Sequence, residues 1–317
     1  MYRNAKENLW VGRKDGVDKA SLRLHQRVQC YPIDHLPLSD TEKEIAIIGF
    51  QCDEGVKRNK GRIGAGKAPD EIRKYLANLP YHLEEDSNII DVGNVVCEDG
   101  NLEESQRELG LYVRELLYQS KFPIILGGGH ETLFGHYLGA RAFLGDEPSL
   151  GIINIDAHFD LRVEPFATSG TMFKQILDKD HQVGYLALGI QRFGNTKKLF
   201  ETAEAYHCTY LYEEEVEKIE QTIQVIDRFS QTYDYMILTL CFDAIHLNAA
   251  PGVSAPSPFG LEPKTVRKLL RYIAKKENLL SFDLSEVNPQ LDENGKTARL
   301  AAYLLAELMM SMSDYKL

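Results

Sequence analysis

The sequence lacks paired cysteines, and this absence bears on where the protein is found. Its five cysteines are scattered, odd in number, and never spaced as a Cys-x-x-Cys pair. They are Cys30, Cys52, Cys97, Cys208 and Cys241. This usage is typical of reduced cytoplasmic proteins and argues against a disulfide framework.

Long apolar runs and concentrated positive charge are missing as well. No apolar run reaches the roughly 18 residues that a membrane span requires, and residues 1–19 are too polar for a secretory signal. The formal net charge of −11 argues against broad nucleic-acid binding. Local arginines can still dominate a cleft, so a small anionic substrate remains compatible with this charge. We therefore expect a cytoplasmic protein without membrane or nucleic-acid partners.

What the sequence does contain is an alternation of short apolar runs and amphipathic helical patterns from residue 44 onward. Near-continuous Ile, Val and Leu runs bracketed by helices indicate a parallel sheet covered on both faces. Strands are predicted over residues 45–49, 88–92, 123–126, 151–155, 185–189, 209–212, 235–240 and 279–284. Helices are predicted over residues 70–79, 102–120, 132–143, 171–179, 196–206, 216–232, 263–276 and 297–311. No linker or repeat divides this pattern, so we expect a single α/β domain over residues 44–317 after an irregular N-terminal arm over residues 1–43.

Three predicted strands end in side chains that can bind a metal ion. These side chains are His130; Asp156, His158 and Asp160; and Cys241 and Asp243. In an extended chain, side chains two residues apart share a side. Ligands of open parallel sheets bind beyond the carboxyl ends of the strands, and imidazole with several carboxylates suits Mn²⁺ or a similar ion. Three such clusters favour a divalent-metal site over unrelated polar residues that close buried strands.

The same segments resemble the ureohydrolase family of arginases, agmatinases and formimidoylglutamases. The matching segments are Gly-Arg-Ile-Gly-Ala at 61–65, Pro-Asp-Glu-Ile-Arg at 69–73, Gly-Gly-Gly-His-Glu at 127–131, Asp-Ala-His-Phe-Asp at 156–160, Ala-Pro-Gly at 250–252 and Ser-Glu-Val-Asn-Pro at 285–289. The resemblance covers about residues 44–311. It implies a three-layer α/β/α sandwich with a mostly parallel sheet of about eight strands, two divalent metal ions, most often Mn²⁺, and a homo-oligomer.

By this resemblance, five residues match metal ligands of the family, namely His130, Asp156, His158, Asp160 and Asp243. The sixth position departs from the common pattern, because Cys241 stands where most members carry Asp. A thiolate is softer than a carboxylate and suits Zn²⁺ more than Mn²⁺, although a nearby divalent cation favours thiol deprotonation. Two interpretations stay open: Cys241 is the sixth ligand, or it is a buried cysteine that leaves one metal site weak or empty.

Two further positions resemble formimidoylglutamases more than arginases. Arg162 stands where arginase-like members carry Asn, and Phe173 stands where they carry a proton-transferring His. The resemblance implies hydrolysis of N-formimidoyl-L-glutamate to L-glutamate and formamide in histidine degradation, by metal-activated hydroxide attack on the formimidoyl carbon. Guanidinium pairs bidentately with carboxylate, so Arg162 suits a dicarboxylate substrate. A structural ion pair is the alternative interpretation of Arg162.

Other candidate residues are weaker. Glu286 matches the family Glu that hydrogen-bonds the cationic nitrogens of the substrate, and Asn59 lies in a polar loop that could reach the distal carboxylate. With the usual His absent, Asp160 or water would pass a proton to the departing nitrogen. Arg192 is a lesser candidate for a carboxylate. Histidines without ligand spacing, such as His136, are interpreted as structural or exposed.

Rival functions also remain. One is hydrolysis of arginine, agmatine or another guanidino compound, which Arg162 disfavours because a second cation near a guanidinium tail is unfavourable. Another is a metal-poor, non-catalytic relative, for which Cys241 is the main support. A zinc deacetylase fits the Gly-Gly-Gly-His-Glu and Ala-Pro-Gly segments less well.

Overall fold

The structure, a computed structural model, describes residues 1–16, 18–37, 44–83 and 87–312. The strands within these residues are β1 (Tyr2–Arg3), β2 (Gln29–Cys30), β3 (Glu44–Gln51), β4 (Ile89–Val96), β5 (Lys121–Leu126), β6 (Leu150–Ile155), β7 (Val183–Ile190), β8 (Thr209–Tyr212), β9 (Tyr235–Cys241) and β10 (Leu279–Ser285). They form one sheet in the order β1-β4-β3-β5-β10-β9-β6-β7-β8, and β2 also pairs with β4. Strands β3 to β10, which correspond to the eight predicted strands, pair with one another in parallel.

Helices connect these strands. The α-helices are α1 (Glu54–Arg58), α2 (Ala68–Ala77), α3 (Leu102–Tyr118), α4 (Thr132–Leu144), α5 (Met172–Leu177), α6 (Lys197–Ala205), α7 (Glu213–Val216), α8 (Ile219–Thr232), α9 (Pro263–Ile273) and α10 (Lys296–Met312). Short 3-10 helices span Glu7–Leu9, Lys19–Ser21, Leu24–Gln26, Ile33–His35, Ala65–Lys67 and Phe242–Ala244. Among the described helices, none is both long and apolar enough to cross a membrane.

The sheet is buried on both faces, which explains why its strands are apolar along their whole length. On β3, Ile45 and Ile47 join the core beneath α2, α9 and α10, while Ala46 and Ile48 join the core beneath α3. Neighbouring residues of a strand point to opposite faces, so both sets must be apolar when helices cover both sides. The predicted three-layer α/β/α sandwich is therefore confirmed.

The N-terminal arm is less irregular than predicted. Strand β1 pairs antiparallel with β4, matching Tyr2 to Val95, and β2 pairs in parallel with the same strand. The indole of Trp10 is buried and donates to Asp91 Oδ2 at 2.7 Å. Two-residue strands are too short to produce a periodic pattern, so they could not be predicted from the sequence. The predicted boundary at residue 43 lies outside the described residues.

The helix predicted over residues 216–232 corresponds to α8, and the short helix α7 that precedes it was not predicted. Helix α7 ends at Val216, and α8 begins at Ile219 after Lys218 adopts a non-helical ψ of 69°. The junction contains neither Gly nor Pro, so nothing in the sequence marked the break. The other predicted helices exist, with bounds that differ by a few residues.

The order of the central strands decides where the site forms. Strands β5, β10, β9 and β6 are consecutive neighbours, and their registers match Leu284 to Leu126, Ser285 to Cys241 and Ile155 to Leu240. Because these strands are parallel, their carboxyl ends lie along one edge of the sheet. The segments that follow them are therefore brought side by side.

Candidate metal centre and active site

A cavity of about 120 Å³ opens at the carboxyl ends of the central strands. Apart from the lesser candidate Arg192, all residues predicted for the site except Asp156 line this cavity, and Asp156 is fully buried beside it. The lining includes His130, His158, Asp160, Arg162, Asn59, Cys241, Asp243 and Glu286. The convergence expected from the sequence is therefore what the fold produces.

Two clusters of possible metal ligands share Asp156. One consists of His130, Asp156 and Cys241, and the other of Asp156, His158 and Asp243. In each cluster one donor atom per residue lies within 4.8 Å of the others. The second cluster offers imidazole and carboxylate donors, which suit Mn²⁺, while the first adds a softer thiol. The chemistry of both donor sets fits divalent ions.

Asp160 lies next to the first cluster but belongs to neither of them. Its Oδ2 atom is 3.0 Å from Nδ1 of His130, whose same nitrogen is 3.1 Å from Oδ2 of Asp156. In the second cluster, His158 Nδ1 is 3.2 Å from Asp243 Oδ2. The imidazole of His130 therefore points its Nδ1 atom at the carboxylates.

The loop that carries His130 is held by backbone contacts that require glycine. The amide of Gly129 donates to the carbonyl oxygen of Cys52 at 2.9 Å. A Cβ atom on Gly128 would lie 1.8 Å from that same oxygen, so no other residue fits without moving the backbone. This contact explains the glycine at position 128.

Two predicted catalytic residues have a left-handed backbone. Asp160 has φ of 51° and Glu286 has φ of 69°. A non-glycine residue in this region costs on the order of 1–3 kcal/mol and persists where surrounding contacts enforce it. Glu286 is held by such contacts, since its amide donates to Gly128 O at 2.8 Å and its Oε1 atom accepts from the amide of His130 at 2.9 Å.

The pKa values of Glu286, Cys241 and His130 are all raised, and only for His130 do burial and the neighbouring carboxylates act against each other. Burial raises the pKa of Glu286 well above its usual range, and the nearby Asp243 raises it further. Burial also raises the pKa of the Cys241 thiol, with Asp156 adding to the effect. For His130, burial alone would lower the pKa, but hydrogen bonds to Asp156 and Asp160 outweigh it and raise the pKa. The cluster thus concentrates negative charge, which a cation would neutralise.

Arg162 and Asn59 lie together on one wall of the cavity. A Cβ atom on Gly170 would be 3.0 Å from Cδ of Arg162 and 3.4 Å from Nδ2 of Asn59, so glycine leaves room for both side chains. The side-chain amide of Asn59 donates to Ser169 Oγ at 3.3 Å. Two groups able to bind a carboxylate are thereby placed beside the metal-binding clusters.

Two other arginines near the site, Arg58 and Arg192, lie outside this wall. Arg58 is occupied by Glu103, with an Nη1–Oε1 distance of 2.6 Å, and by Glu54. Arg192 lies over the ring of Tyr212, 4.7 Å from its centroid, and lines an outer cavity of about 570 Å³. That outer cavity shares His158, Gly194 and Ala255 with the inner one. Arg192 is thus placed at the approach to the clusters, and Arg58 is a structural residue.

A family model decides the relationship of the chain. The model of the arginase family matches residues 43–311. The chain belongs to the arginase family. A curated formimidoylglutamase from Geobacillus sp. (strain WCH70) is 52% identical over 314 residues, which is 98% of this chain and 96% of the relative. One from Lysinibacillus sphaericus is 47% identical and covers 98% of both chains.

Solved structures of the arginase family agree on the fold. Formimidoylglutamase from Bacillus subtilis superposes with a TM-score of 0.81 at 21% identity, covering 96% of this chain and 95% of that one. Formiminoglutamase from Trypanosoma cruzi, determined with Mn²⁺, gives a TM-score of 0.78 at 24% identity and covers 88% of this chain and 97% of the other. The arginase-like fold inferred from the sequence motifs is confirmed.

Sequence reasoning missed several buried polar residues beneath the clusters. His136, interpreted as structural or exposed, is fully buried and lies 2.7 Å from Asp283 through its Nδ1 atom. Thr239 and Asn154 are also fully buried, in strands that are otherwise apolar. A signal was present, because each interrupts an apolar run, but nothing in the sequence showed which partners they meet.

Proposed function

We propose that this protein hydrolyses N-formimidoyl-L-glutamate to L-glutamate and formamide. The observation that carries the proposal is the presence of Arg162 in the same small cavity as the two candidate metal clusters. A guanidinium group beside a metal centre suits a substrate with carboxylates. The full-length similarity to curated formimidoylglutamases supports the same reaction.

The proposed cofactor is a pair of divalent ions, with Mn²⁺ preferred. His130, Asp156 and Cys241 would hold one ion, with Asp160 beside them, and Asp156, His158 and Asp243 would hold the other. Bound divalent ions supply Lewis acidity, which lowers the pKa of a water molecule so that it can attack the formimidoyl carbon at neutral pH. The Mn²⁺ in the T. cruzi relative supports this choice of metal.

The remaining roles belong to side chains of this chain. Glu286 would orient the amidine group, because its carboxylate is fixed at the cavity wall by the amide of His130. Arg162 and Asn59 would hold a carboxylate of the substrate and fix its distance from the clusters. Asp160 would carry a proton to the departing glutamate nitrogen, since the position of the usual His is occupied by the buried Phe173.

The cellular setting and assembly are part of the same proposal. Cys30, Cys52, Cys97, Cys208 and Cys241 are all free thiols, which suits a reducing compartment such as the cytoplasm. We propose that the protein acts there as a homo-oligomer, with residues 44–317 as a single catalytic domain.

A substrate panel tests the reaction. Protein reconstituted with Mn²⁺ is assayed against formimidoylglutamate, arginine, agmatine and guanidinobutyrate. We expect formimidoylglutamate to give the highest kcat/KM, with release of formamide. Preference for arginine or agmatine would reject formimidoylglutamate as the substrate but would still support metal-dependent hydrolysis of a C–N bond. No turnover of any of the four, with near zero metal per chain, would favour the non-catalytic relative.

A further inference from the structure

A buried polar layer lies directly beneath the metal-binding clusters. It consists of Asn154 on β6, Thr239 on β9, Asp283 and Ser281 on β10, and His136 on α4, and we call these residues the polar layer. All five are fully buried. Buried polar groups are costly unless hydrogen-bonded, so a layer of them within an apolar sheet calls for a specific role.

Sheet register places the layer one step below the ligands. Asn154 is the register partner of Thr239, and Thr239 is the partner of Asp283. The three therefore form a row across adjacent strands. Asp156 and Cys241 each lie two residues further along their strands, on the same face because side chains repeat every second residue. Asp156 and Cys241 thus each have a polar residue of the layer beneath them, Asn154 and Thr239 respectively.

The hydrogen bonds of the layer converge on Asp283, which is linked to His130 through Thr239. The hydroxyl of Thr239 donates to Asp283 Oδ1 at 2.8 Å. Its oxygen is then free to accept, and Nε2 of His130 lies 3.0 Å from it. The other oxygen of Asp283 is 2.7 Å from Nδ1 of His136, whose Nε2 is 2.6 Å from Ser281 Oγ. Every link of this chain has a partner.

We propose that the polar layer makes Thr239 a positioning residue that selects the ring form of His130. Because the Thr239 hydroxyl donates its proton to Asp283, it can only accept a hydrogen bond from His130. The Nε2 atom of His130 must therefore carry a hydrogen. The Nδ1 atom, which lies 3.1 and 3.0 Å from Asp156 and Asp160, would then be the nitrogen that gives up its proton and offers its lone pair when an ion binds. A metal-binding histidine is commonly oriented through its second nitrogen in this way.

The layer supports Asp156 as well. The side-chain amide of Asn154 donates to Asp156 Oδ2 at 3.0 Å and also contacts the hydroxyl of Tyr185 at 3.0 Å. Asp156 belongs to both candidate clusters. The polar layer therefore holds His130 and Asp156 in place. These two residues form a candidate cluster with Cys241, the unusual donor.

The test compares three variants by their affinity for Mn²⁺, measured by metal titration of the metal-free protein. Thr239→Val keeps the shape of the side chain and removes the hydroxyl, while Thr239→Ser keeps the hydroxyl. Thr222→Val is the matched control, since Thr222 is equally buried but lies on α8 and does not line the cavity. We expect Thr239→Val to weaken Mn²⁺ binding about 10–100-fold, Thr239→Ser to restore most of it, and Thr222→Val to leave it unchanged.

Several outcomes would overturn the inference. Unchanged Mn²⁺ affinity in folded Thr239→Val would do so, as would equal losses in Thr239→Val and Thr222→Val. If Thr239→Val does not fold, Ser281→Ala is tested instead, because it removes the hydroxyl that hydrogen-bonds His136 at the other end of the network. Weaker Mn²⁺ affinity in Ser281→Ala supports the inference, and unchanged Mn²⁺ affinity rejects it. The inference rests on the proposed function only through metal binding, so wild-type protein that binds Mn²⁺ without hydrolysing formimidoylglutamate would reject the substrate and leave the layer standing.

Discussion

The thiol of Cys241 donates a hydrogen bond to Oδ1 of Asp243 at 2.9 Å. The two residues belong to different candidate clusters. The hydrogen bond therefore links the two clusters, in addition to Asp156, which belongs to both. Burial raises the pKa of the thiol, so without a cation Cys241 is a donor. Binding of an ion would reverse that role, because a coordinating thiol loses its proton.

Variants of Cys241 test whether it is a ligand. Cys241→Ala removes one donor from the cluster of His130 and Asp156 and spares the other cluster. We expect metal content to fall from about two ions to about one per chain, with at least tenfold weaker affinity at the affected position. Cys241→Asp should favour Mn²⁺ over Zn²⁺, since oxygen is the harder donor. Elemental analysis after dialysis measures both effects; two tightly held ions in Cys241→Ala would show that the thiol is not a ligand.

Removal of metal should abolish activity and lower stability together. A ligand at a hundredfold excess over its Kd stabilises the folded protein by about 2.7 kcal/mol. We therefore expect a chelated sample to lose formimidoylglutamate hydrolysis and to melt at a lower temperature, and added Mn²⁺ to restore both. Calorimetry and an activity assay on the same samples measure this. Full turnover after complete chelation would contradict the metal-dependent mechanism.

Arg162 should affect substrate binding more than the chemical step. Loss of a hydrogen bond to a charged group costs about 1.5–3 kcal/mol, so Arg162→Met should raise KM by on the order of ten- to a hundredfold. Arg192→Met is the control, because Arg192 lies over Tyr212 at the outer cavity. Steady-state kinetics give KM and kcat separately for both variants. A larger KM increase in Arg192→Met would mean that the substrate carboxylate binds further out.

A buried ion pair should dominate the stability of the region beneath the N-terminal arm. Arg73 and Asp91 are about 1% and 0% exposed and make two hydrogen bonds of 2.8 Å. Arg73→Met leaves Asp91 buried without its cation, which costs about 3–5 kcal/mol. Arg107→Met breaks an exposed pair with Glu104 and should change the free energy of unfolding by about 0.5 kcal/mol or less. Urea denaturation measures the free energy of unfolding of both variants. Equal losses in Arg73→Met and Arg107→Met would contradict the dominant role of the buried pair.

Cys97 is the thiol that should react first near neutral pH. A hydrogen bond from Cys52 lowers the pKa of Cys97 to about 7, while burial raises the pKa of Cys30 and Cys208 to about 12. The thiolate is the reactive form, so alkylation of Cys97 should increase as pH rises through about 7. Peptide mass mapping after brief iodoacetamide treatment measures it.

The control for this prediction is Cys52→Ala. Removing the donor should raise the pKa of Cys97 and move its alkylation midpoint to higher pH. If the midpoint stays where it was, the hydrogen bond from Cys52 is not the cause of the reactivity.

The sequence predicted those parts of the site that depend on local spacing. Asp156, His158 and Asp160 were expected to converge because alternate residues of an extended segment share a side, and all three lie at the site, although the segment bends after β6 and Asp160 is left-handed. The sequence could not pair Thr239 with Asp283, since that contact depends on β9 and β10 being neighbours, and strand order is not given by chain order. His136 is structural, as one of the two interpretations held, but its partner could not be identified because it lies 147 positions away.

The strands of the N-terminal arm have a consequence for how molecules of this protein meet one another. Both β1 and β2 pair with β4, and Met1 extends that pairing through its carbonyl oxygen, which accepts from Val96 at 2.9 Å. An uncovered β4 would offer a row of free backbone groups to any other extended chain, which is a common route to aggregation. The two short strands of the arm therefore cover the β4 edge of the sheet against pairing with another molecule.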